Sequence, residues 1–576
     1  MNNNIPDIWG AGSIFAYSGL DGESTFKNSL AGYLKSDKIG VIFDCRTAVE
    51  LSFDIKQAGD VEYMLAASDA VHFITRHNEN HNKQACFMFL NENTIVGFFH
   101  ENAIPYINLG SEKCENPEEG IMVYSSQGEH IAFIKDNNRF ALCVSRKSES
   151  DAKDKAKTGL CADIGDLLDK KYAYFEALPK PILDSRITEK TLAKCFSIMK
   201  SQVYTPENNI ACRWTTPDRI PHKKMWLWDS VFHSIGNKYI SKELAVESID
   251  ALFSFQREDG FIPHMMSPGE VSDLTQPPVI AWGFYGLYEY FKDESILKKF
   301  YEKTKNFLLW VFESRDKNNN NLFEWEVEEN NPDCRCAECG MDNSPRFDNV
   351  KAMDCVDFSC FMANEARYME KAARALGLPD EAKYWADKYS GIKKAINDVL
   401  WCGEDGFYFD RIVDTNQFKK VWAVSSFLPL FAGVCDKNQA EKLVMHLKDE
   451  RKFNTDFPIP SIAADDKTFG TDMWRGPVWI NYNYMVIQGL KEYGFDEPAD
   501  ELANKTLDIM IFWYEQEGVI YEFYDSENRL SPSRLNRKGK PLVPYSPKTK
   551  MQTIRDYGWS AALFADMILN IRKYRK

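Results

Sequence analysis

Ile187-Thr188-Glu189-Lys190-Thr191-Leu192-Ala193-Lys194-Cys195-Phe196-Ser197-Ile198-Met199 is where the chain changes its period. Leu192, Cys195, Phe196 and Met199 fall at i, i+3, i+4 and i+7, the spacing that puts one apolar stripe on a helix. Upstream the pattern differs. Val49, Leu51, Phe53 and Ile55 alternate with Glu50, Ser52 and Asp54, the period of two of a half-buried strand. Short apolar runs follow at 71–74, 86–90, 94–99, 121–124, 131–134 and 140–144. Turns such as Asn91-Glu92-Asn93 and Ser126-Gln127-Gly128 separate them. Many short strands at this spacing predict an antiparallel β-sandwich over residues 1–180. The charged stretch 148–157 reads as a solvated loop, and Pro179 and Pro181 mark a linker.

Downstream, helical periodicity recurs near 229–238, 242–256, 280–291, 294–313, 355–375, 380–400, 421–432, 437–448, 480–493, 497–516 and 558–573. Taken in pairs, these helices suit a closed ring of six hairpins, an (α/α)6 barrel over residues 181–576, with a site in the loops at one end. The alternative is an open array of helical hairpins, for which no solenoid repeat is visible.

A chain of 576 residues is long for a single core, so two domains are expected, 1–180 and 181–576. Its hydrophobic fraction, 44%, is ordinary for a soluble globular protein. The net charge of −15 speaks against nucleic acid and anionic membrane surfaces as partners. The start, MNNNIPDIWGAGSIFAYSGL, has no basic segment followed by an apolar run, so no signal peptide is expected. No apolar stretch reaches the ~18 residues of a membrane span. The 14 cysteines then read as reduced thiols in a cytoplasm. Among them Cys334, Cys336 and Cys339 form a cluster. It is either a set of loop thiols or, with Cys355 as a fourth ligand, a zinc site. The spacing is not that of a common zinc ribbon, and free thiols are the expectation. Aromatic residues make up 14% of the chain, with 14 Trp and 26 Tyr. Flat rings stack on the C–H faces of sugars, but a large aromatic core would need them equally.

The residues that carry chemistry lie between the helices. Gly340-Met341-Asp342-Asn343-Ser344-Pro345-Arg346-Phe347-Asp348 and Tyr521-Glu522-Phe523-Tyr524-Asp525 each set a carboxylate among aromatic and small residues. Two carboxyl groups in different protonation states are what cleavage of a glycosidic bond requires. Taken singly, each has a plainer reading. Asp342 is placed to cap a turn before Pro345, and Glu522 to lie exposed on an extended segment. Around them stand Trp226-Leu227-Trp228-Asp229-Ser230, Asp259 to His264, Thr275-Gln276-Pro277-Pro278, Trp474-Arg475-Gly476-Pro477-Val478-Trp479 and Tyr557-Gly558-Trp559-Ser560. Asp229 suits a helix cap as well as a site, and the tryptophans suit core as well as wall. Gln276 before two prolines is held extended. Arg475 can grip a hydroxyl or a carboxylate, or orient Asp342 or Glu522. Residues 531–550, with Arg534, Arg537, Lys538, Lys540, Lys548 and Lys550, read as a solvated loop. The minority reading is a lid that attracts an acidic aglycone.

Taken together, GMDNSPRFD, WLWDS, TQPP, WRGPVW and YEFYD resemble glycoside hydrolase family 63 and its neighbours over roughly 210–576. Those neighbours are processing α-glucosidase I, bacterial α-glucosidases, and the mannosylglycerate and glucosylglycerate hydrolases, with trehalases more distant. The resemblance implies an (α/α)6 catalytic domain, often behind an N-terminal β-sandwich, and inversion at an α-glycoside without a cofactor. It makes Asp342 the general acid, in a desolvated pocket against rings such as Trp325, and Glu522 the general base. It places Asp229 on sugar hydroxyls. Trp226, Trp228, His264, Gln276, Trp282, Trp474, Arg475, Gly476, Trp479 and Trp559 complete the expected pocket. Asp348 and Asp525 are expected to hold loops. The reading is an exo-acting α-glycosidase of the cytoplasm on a small glucoside or mannoside, a disaccharide or glycosylglycerate, with no metal. Two alternatives stand beside it. A glycoside phosphorylase needs phosphate where the base would stand. A non-catalytic sugar-binding protein would bind without turnover.

Overall fold

The alternation at 49–55 produces its strand, Val49–Ile55, with Val49, Leu51 and Phe53 buried. It pairs antiparallel with Ala103–Leu109, Leu51 opposite Ile107 and Phe53 opposite Pro105. The structure is a computed structural model that describes residues 4–35, 39–55, 61–77, 81–110, 112–114, 120–181, 185–539 and 549–570. Six described strands between Ile14 and Cys114 make one antiparallel sheet, and seven between Val61 and Ser145 make a second. The two sheets share one core. Phe53 of the first meets Phe73, Phe87 and Phe140 of the second at ring distances of 5.5, 5.5 and 5.8 Å. The predicted turn at 126–128 closes a hairpin through Gln127 and Gly128, both left-handed at φ 51° and 77°.

Helices α1 (Glu149–Leu160), α2 (Ile164–Ala177) and α3 (Arg186–Ser201) follow. The stretch 148–157 is therefore a helix and not the solvated loop its charges predict. The Ser148 side chain accepts from the Asp151 N–H at the N-cap. Ala152, Ala156 and Gly159 let α1 settle closely on Ala132, Cys143 and Val96 of the seven-stranded sheet. Ile164, Leu168 and Phe175 of α2 also pack on that sheet. On α3, Leu192, Cys195, Phe196 and Met199 enter the core of the helical part, while Ala193 faces the sheet side. Pro179 and Pro181 lie between α2 and α3, and 182–184 fall outside the described residues.

The helical part continues with α4 (Leu227–Asn237), α5 (Lys242–Asp250), α6 (Ile280–Phe291), α7 (Glu294–Arg315) and α8 (Val356–Ala375). Then come α9 (Pro379–Ala395), α10 (Leu428–Phe431), α11 (Lys437–Leu447), α12 (Ile480–Glu492), α13 (Asp496–Glu517) and α14 (Gly558–Leu569). Helix α4 packs on α6, α6 on α8, α8 on α10, α10 on α12, α12 on α14, and α14 back on α4. Helices α5, α7, α9 and α13 lie against α4, α6, α8 and α12, and α3 lies against α14. The stretch 421–432 is less helical than its periodicity predicts. It is a 3-10 turn, Val424–Phe427, followed by the single turn of α10 with Pro429 near its start. The described strands of this part are two- and three-residue pairings in loops. No described helix is long and apolar enough to cross a membrane.

Candidate active site

At the end of the ring where α4, α6, α8, α12 and α14 begin, a cavity of about 220 Å³ is lined by residues from five loops and the helix starts that follow them. Asp342 and Glu522 both line it.

Asp342 sits in a loop that other residues fix. Gly340 is left-handed at φ 72°, and a Cβ there would stand 2.4 Å from the Trp228 ring, so only glycine lets Trp228 close over the loop. Asn343 accepts from the Trp474 N–H at 3.0 Å and donates to Asp472 at 2.8 Å. Arg475 donates to the Asn343 carbonyl at 2.9 Å and to both Asp348 oxygens at 2.8 and 2.9 Å. Arg346 lies buried between Asp357 and Asp410 and donates to both oxygens of each. With the rest of the loop tied inward, Asp342 is left facing the cavity, paired with Lys538 Nζ at 2.7 Å.

Glu522 is almost wholly buried at 1% exposure. A buried carboxylate needs a cation and hydrogen bonds. Arg537 donates from Nε and Nη2 at 3.1 and 3.0 Å, and the Ile554 N–H donates at 3.2 Å. Burial works against the Arg537 guanidinium, yet the Glu522 carboxylate raises its pKa further. The same balance, with Asp342 as partner, raises that of Lys538.

Asp229 stands in the first turn of α4, buried, with the Tyr557 hydroxyl donating to it at 3.4 Å. Burial pushes its carboxyl well above the usual carboxylate range, and the Asp218 and Glu522 carboxylates add to the shift. Gln276 accepts from the Trp228 N–H at 3.1 Å, so it caps α4 while lining the cavity. His264 bonds Ser272 through Nδ1 and meets the Trp226 ring edge-on at 5.1 Å; burial lowers its pKa. Trp226, Trp228, Trp479 and Trp559 are walls of the cavity.

Five residues of the expected pocket stand elsewhere. Trp282 lines a separate cavity at the opposite end of the ring. Trp325 stacks on Phe358 at 3.6 Å and donates to Asp357 at 3.0 Å. Trp474 is fully buried behind Trp479, the rings parallel at 3.9 Å. Arg475 holds the Asp342 loop, and Gly476 is a backbone crossing where a Cβ would come within 2.0 Å of the Gly470 carbonyl oxygen. Asp525 accepts from the Arg529 and Leu530 N–H groups, as a loop-holding residue does.

Other lining residues carry no motif in the sequence. His222 is paired with Asp218 and approaches Arg537, and burial lowers its pKa. Arg537, Lys538 and Lys550 come from the segment that reads as a solvated loop; Lys540 and Lys548 of that segment lie outside the described residues. Cys334 also lines the cavity, beside Asp342. Burial raises the thiol pKa of Cys334, Cys336 and Cys339, which opposes the thiolate form a metal binds. Among the described residues, the trio spaced to hold a metal is Cys355, Asp357 and Asp410. Arg346 already bridges its two carboxylates.

A sequence profile of the mannosylglycerate hydrolase MGH1-like glycoside hydrolase domain matches residues 222–560. Mannosylglycerate hydrolase MGH1 of Selaginella moellendorffii is 27% identical over 417 residues, 57% of this chain and 82% of that protein. The crystal structure of GH63 mannosylglycerate hydrolase from Thermus thermophilus in complex with glucose superposes with a TM-score of 0.53 at 24% identity. The match covers 65% of this chain and 99% of that one. A rhamnosidase from Klebsiella oxytoca with rhamnose bound shares the fold over 98% of this chain and 95% of its own, with a TM-score of 0.51 at 10% identity.

Proposed function

The chain belongs to the mannosylglycerate hydrolase MGH1-like glycoside hydrolases, a GH63-like group, and from that premise we propose that it hydrolyses a small α-glycoside with an acidic aglycone, of the glycosylglycerate kind. The observation that carries this reading is the company the two carboxyl groups keep. Asp342 and Glu522 share one cavity with Arg537 and Lys538, under walls of Trp226, Trp228, Trp479 and Trp559.

In this reading the aglycone carboxylate draws Lys538 from Asp342, which that ammonium would otherwise hold ionised. Asp342 then gives a proton to the glycosidic oxygen as the bond to the anomeric carbon breaks. Glu522 takes a proton from a water that attacks that carbon from the other face, so the configuration inverts. Arg537 supplies the countercharge that a buried base requires. Asp229, whose carboxyl burial shifts upward, hydrogen-bonds a sugar hydroxyl. Lys538 stands on the Asp342 side, where the aglycone leaves, and meets its carboxylate. His264 and Gln276 contact the sugar, and Trp474 backs Trp479. A volume of about 220 Å³ lies below the ~300–1,000 Å³ of sites for drug-sized ligands. It fits one terminal sugar and a small aglycone, hence exo-action. The closed cycle of packing through α4, α6, α8, α10, α12 and α14 supports the (α/α)6 reading of residues 181–576. A cytoplasmic setting accords with the free thiols of the described cysteines.

The test is a panel of mannosylglycerate, glucosylglycerate, maltose, trehalose and a long α-glucan, with proton NMR of the first sugar released. Preference for a glycosylglycerate and first appearance of the β-anomer are expected. First appearance of the α-anomer would mean retention. Release that depends on phosphate would make the protein a phosphorylase, and early mixed oligosaccharides from the glucan would contradict exo-action.

A further inference from the structure

At the opposite end of the ring, where α4, α6, α8, α12 and α14 finish, lies a second and larger cavity of about 820 Å³. The reaction described above uses none of it. We propose that this cavity is a second saccharide site, which takes a neutral mono- or disaccharide.

Four features point to that ligand class. The walls are rings: Trp282, Tyr285 and Tyr290 from α6, Tyr368 from α8 and Tyr484 from α12. Flat rings with a few polar groups between them match the alternating apolar faces and hydroxyl edges of a sugar. The second feature is Gly286, in the middle of α6 and open to the cavity. A glycine inside a helix costs about 1 kcal/mol relative to alanine. Gly283, one turn earlier, has a packing reason, because a Cβ there would stand 2.4 Å from Val231. Gly286 has none, since a Cβ there would meet nothing within 4 Å. What its bareness does provide is access for a flat ligand to the helix backbone between Tyr285 and Tyr290.

The third feature is polar capacity. Among the described residues, neither the Trp282 indole N–H nor the Gln488 amide has a protein partner, and both line the cavity. The fourth is charge. Lys238 pairs with Asp566 at 2.6 Å, Lys491 with Asp496 at 3.2 Å and Asp500 at 2.5 Å, and Lys371 lies 4.5 Å over the Tyr368 ring. Arg367 pairs with Glu492. Glu289, beside Tyr285, and Lys371 are the lining charges outside these ion pairs; they are of opposite sign, so the wall is close to neutral and favours a neutral ligand over an ion. The volume lies within the ~300–1,000 Å³ range of small-molecule sites. Phe232 divides the two cavities, touching Trp282 at 6.0 Å on one side and Trp228 and Trp559 at 5.8 and 5.9 Å on the other.

Equilibrium dialysis of the full chain against labelled glucose and mannose counts the sites directly. About two moles bound per mole of protein are expected, falling to about one in Gly286→Leu. That substitution improves helix propensity and fills only the second cavity, so kcat/KM on the preferred substrate should stay within about twofold. Tyr290→Ala, at a ring 49% exposed, should weaken the second site by about 2–10-fold, the worth of one aromatic contact. One mole bound in both wild type and Gly286→Leu would overturn the proposal, as would two moles bound in both. What carries the proposal is the mole lost in Gly286→Leu, whether the count falls from two to one or, with no sugar held in the first cavity, from one to none, so it holds or fails independently of the hydrolytic reading.

Discussion

Replacing Glu522 by Gln or Asp342 by Asn keeps the shape of the side chain and removes its part in proton transfer. Each is expected to lower kcat by at least ~10²-fold with substrate binding retained, the scale of general acid–base catalysis. A glycosyl fluoride has a leaving group that needs little protonation, so it should partly rescue Asp342→Asn and not Glu522→Gln. Equal loss on good and poor leaving groups would move the acid to Asp229, which shares the cavity and whose carboxyl burial shifts upward. Gly340→Ala tests the loop that aims Asp342. Its φ of 72° and the 2.4 Å approach to Trp228 predict a stability loss above ~1 kcal/mol and a fall in kcat/KM of ~10-fold or more. Urea unfolding and a rate assay on one preparation check both; an unchanged variant would dismiss the role. At this scale the grouping of Asp342 and Glu522 is legible only through the resemblance their motifs carry together, since singly Asp342 reads as a turn cap and Glu522 as an exposed residue; the cavity that both line is what the fold adds. Trp282, Trp325 and Trp474 are not separable there from Trp228 or Trp479. A tryptophan near a helix start looks the same in sequence whether it turns to cavity or core. Arg537 is hidden by its neighbours. Its basic stretch reads as solvated, and only the fold brings the guanidinium inward to Glu522.

Elements with a strong period are legible, and α12 or α14 differ from expectation only at their ends. Helix α1 is not, because Ala152 and Ala156 are too weakly apolar to stand out among Glu149, Asp151, Lys153, Asp154 and Lys155. What marks it locally is the Ser148 cap and the i,i+4 pairs Glu149–Lys153 and Asp151–Lys155, and its small face then settles on the sheet. Helix α6 carries a device that no local pattern announces. The buried Glu365 of α8 accepts from the Ala281 and Trp282 N–H groups at 2.7 and 2.9 Å and so caps the start of α6. Burial lifts its pKa from 4.5 to about 7, against the pull of those N–H groups. The folded chain therefore keeps a proton that the unfolded chain gives up. That stabilisation is complete below about pH 4.5 and is lost as the pH rises to about 7. At ~1.4 kcal/mol per pH unit the loss is about 3 kcal/mol. Urea midpoints measured from pH 4.5 to 8 should show this decline, and Glu365→Gln, which is neutral throughout, should flatten it. A decline of the same size in the Gln variant would place its origin elsewhere.

The whole molecule is joined by buried ion pairs that couple the sheets to the helices. Asp69, from the seven-stranded sheet's side, meets Lys171 of α2 at 2.5 Å and Lys200 of α3 at 3.0 Å. Burial disfavours its charge, but the two ammonium groups outweigh that and hold its carboxyl well below the usual range. Asp556 does more. It accepts from Lys194 of α3 at 2.7 Å, from the Ile14 N–H of the first strand at 3.0 Å, and from the Ile520 N–H at 3.2 Å. Ile520 lies two residues before Glu522, and Asp556 directly precedes Tyr557 of the cavity. One buried carboxylate thus ties the first strand, α3 and the loop bearing Glu522. Ile14 and Lys194 lie hundreds of residues from Asp556, so the sequence shows two patterns and no sign of their joining. The consequence is cooperative unfolding. Breaking a buried pair by removing one partner costs ~3–5 kcal/mol, so Lys194→Met should lower stability on that scale. Because Asp556 also braces the Glu522 loop, the same variant should lower kcat more than it changes KM. Calorimetry of the wild type should give one transition for sheets and helices together, shifted as a whole in Lys194→Met. Two well-separated transitions, with only one moved by the substitution, would mean that the sheets and helices are stable independently and that Asp556 is a local contact.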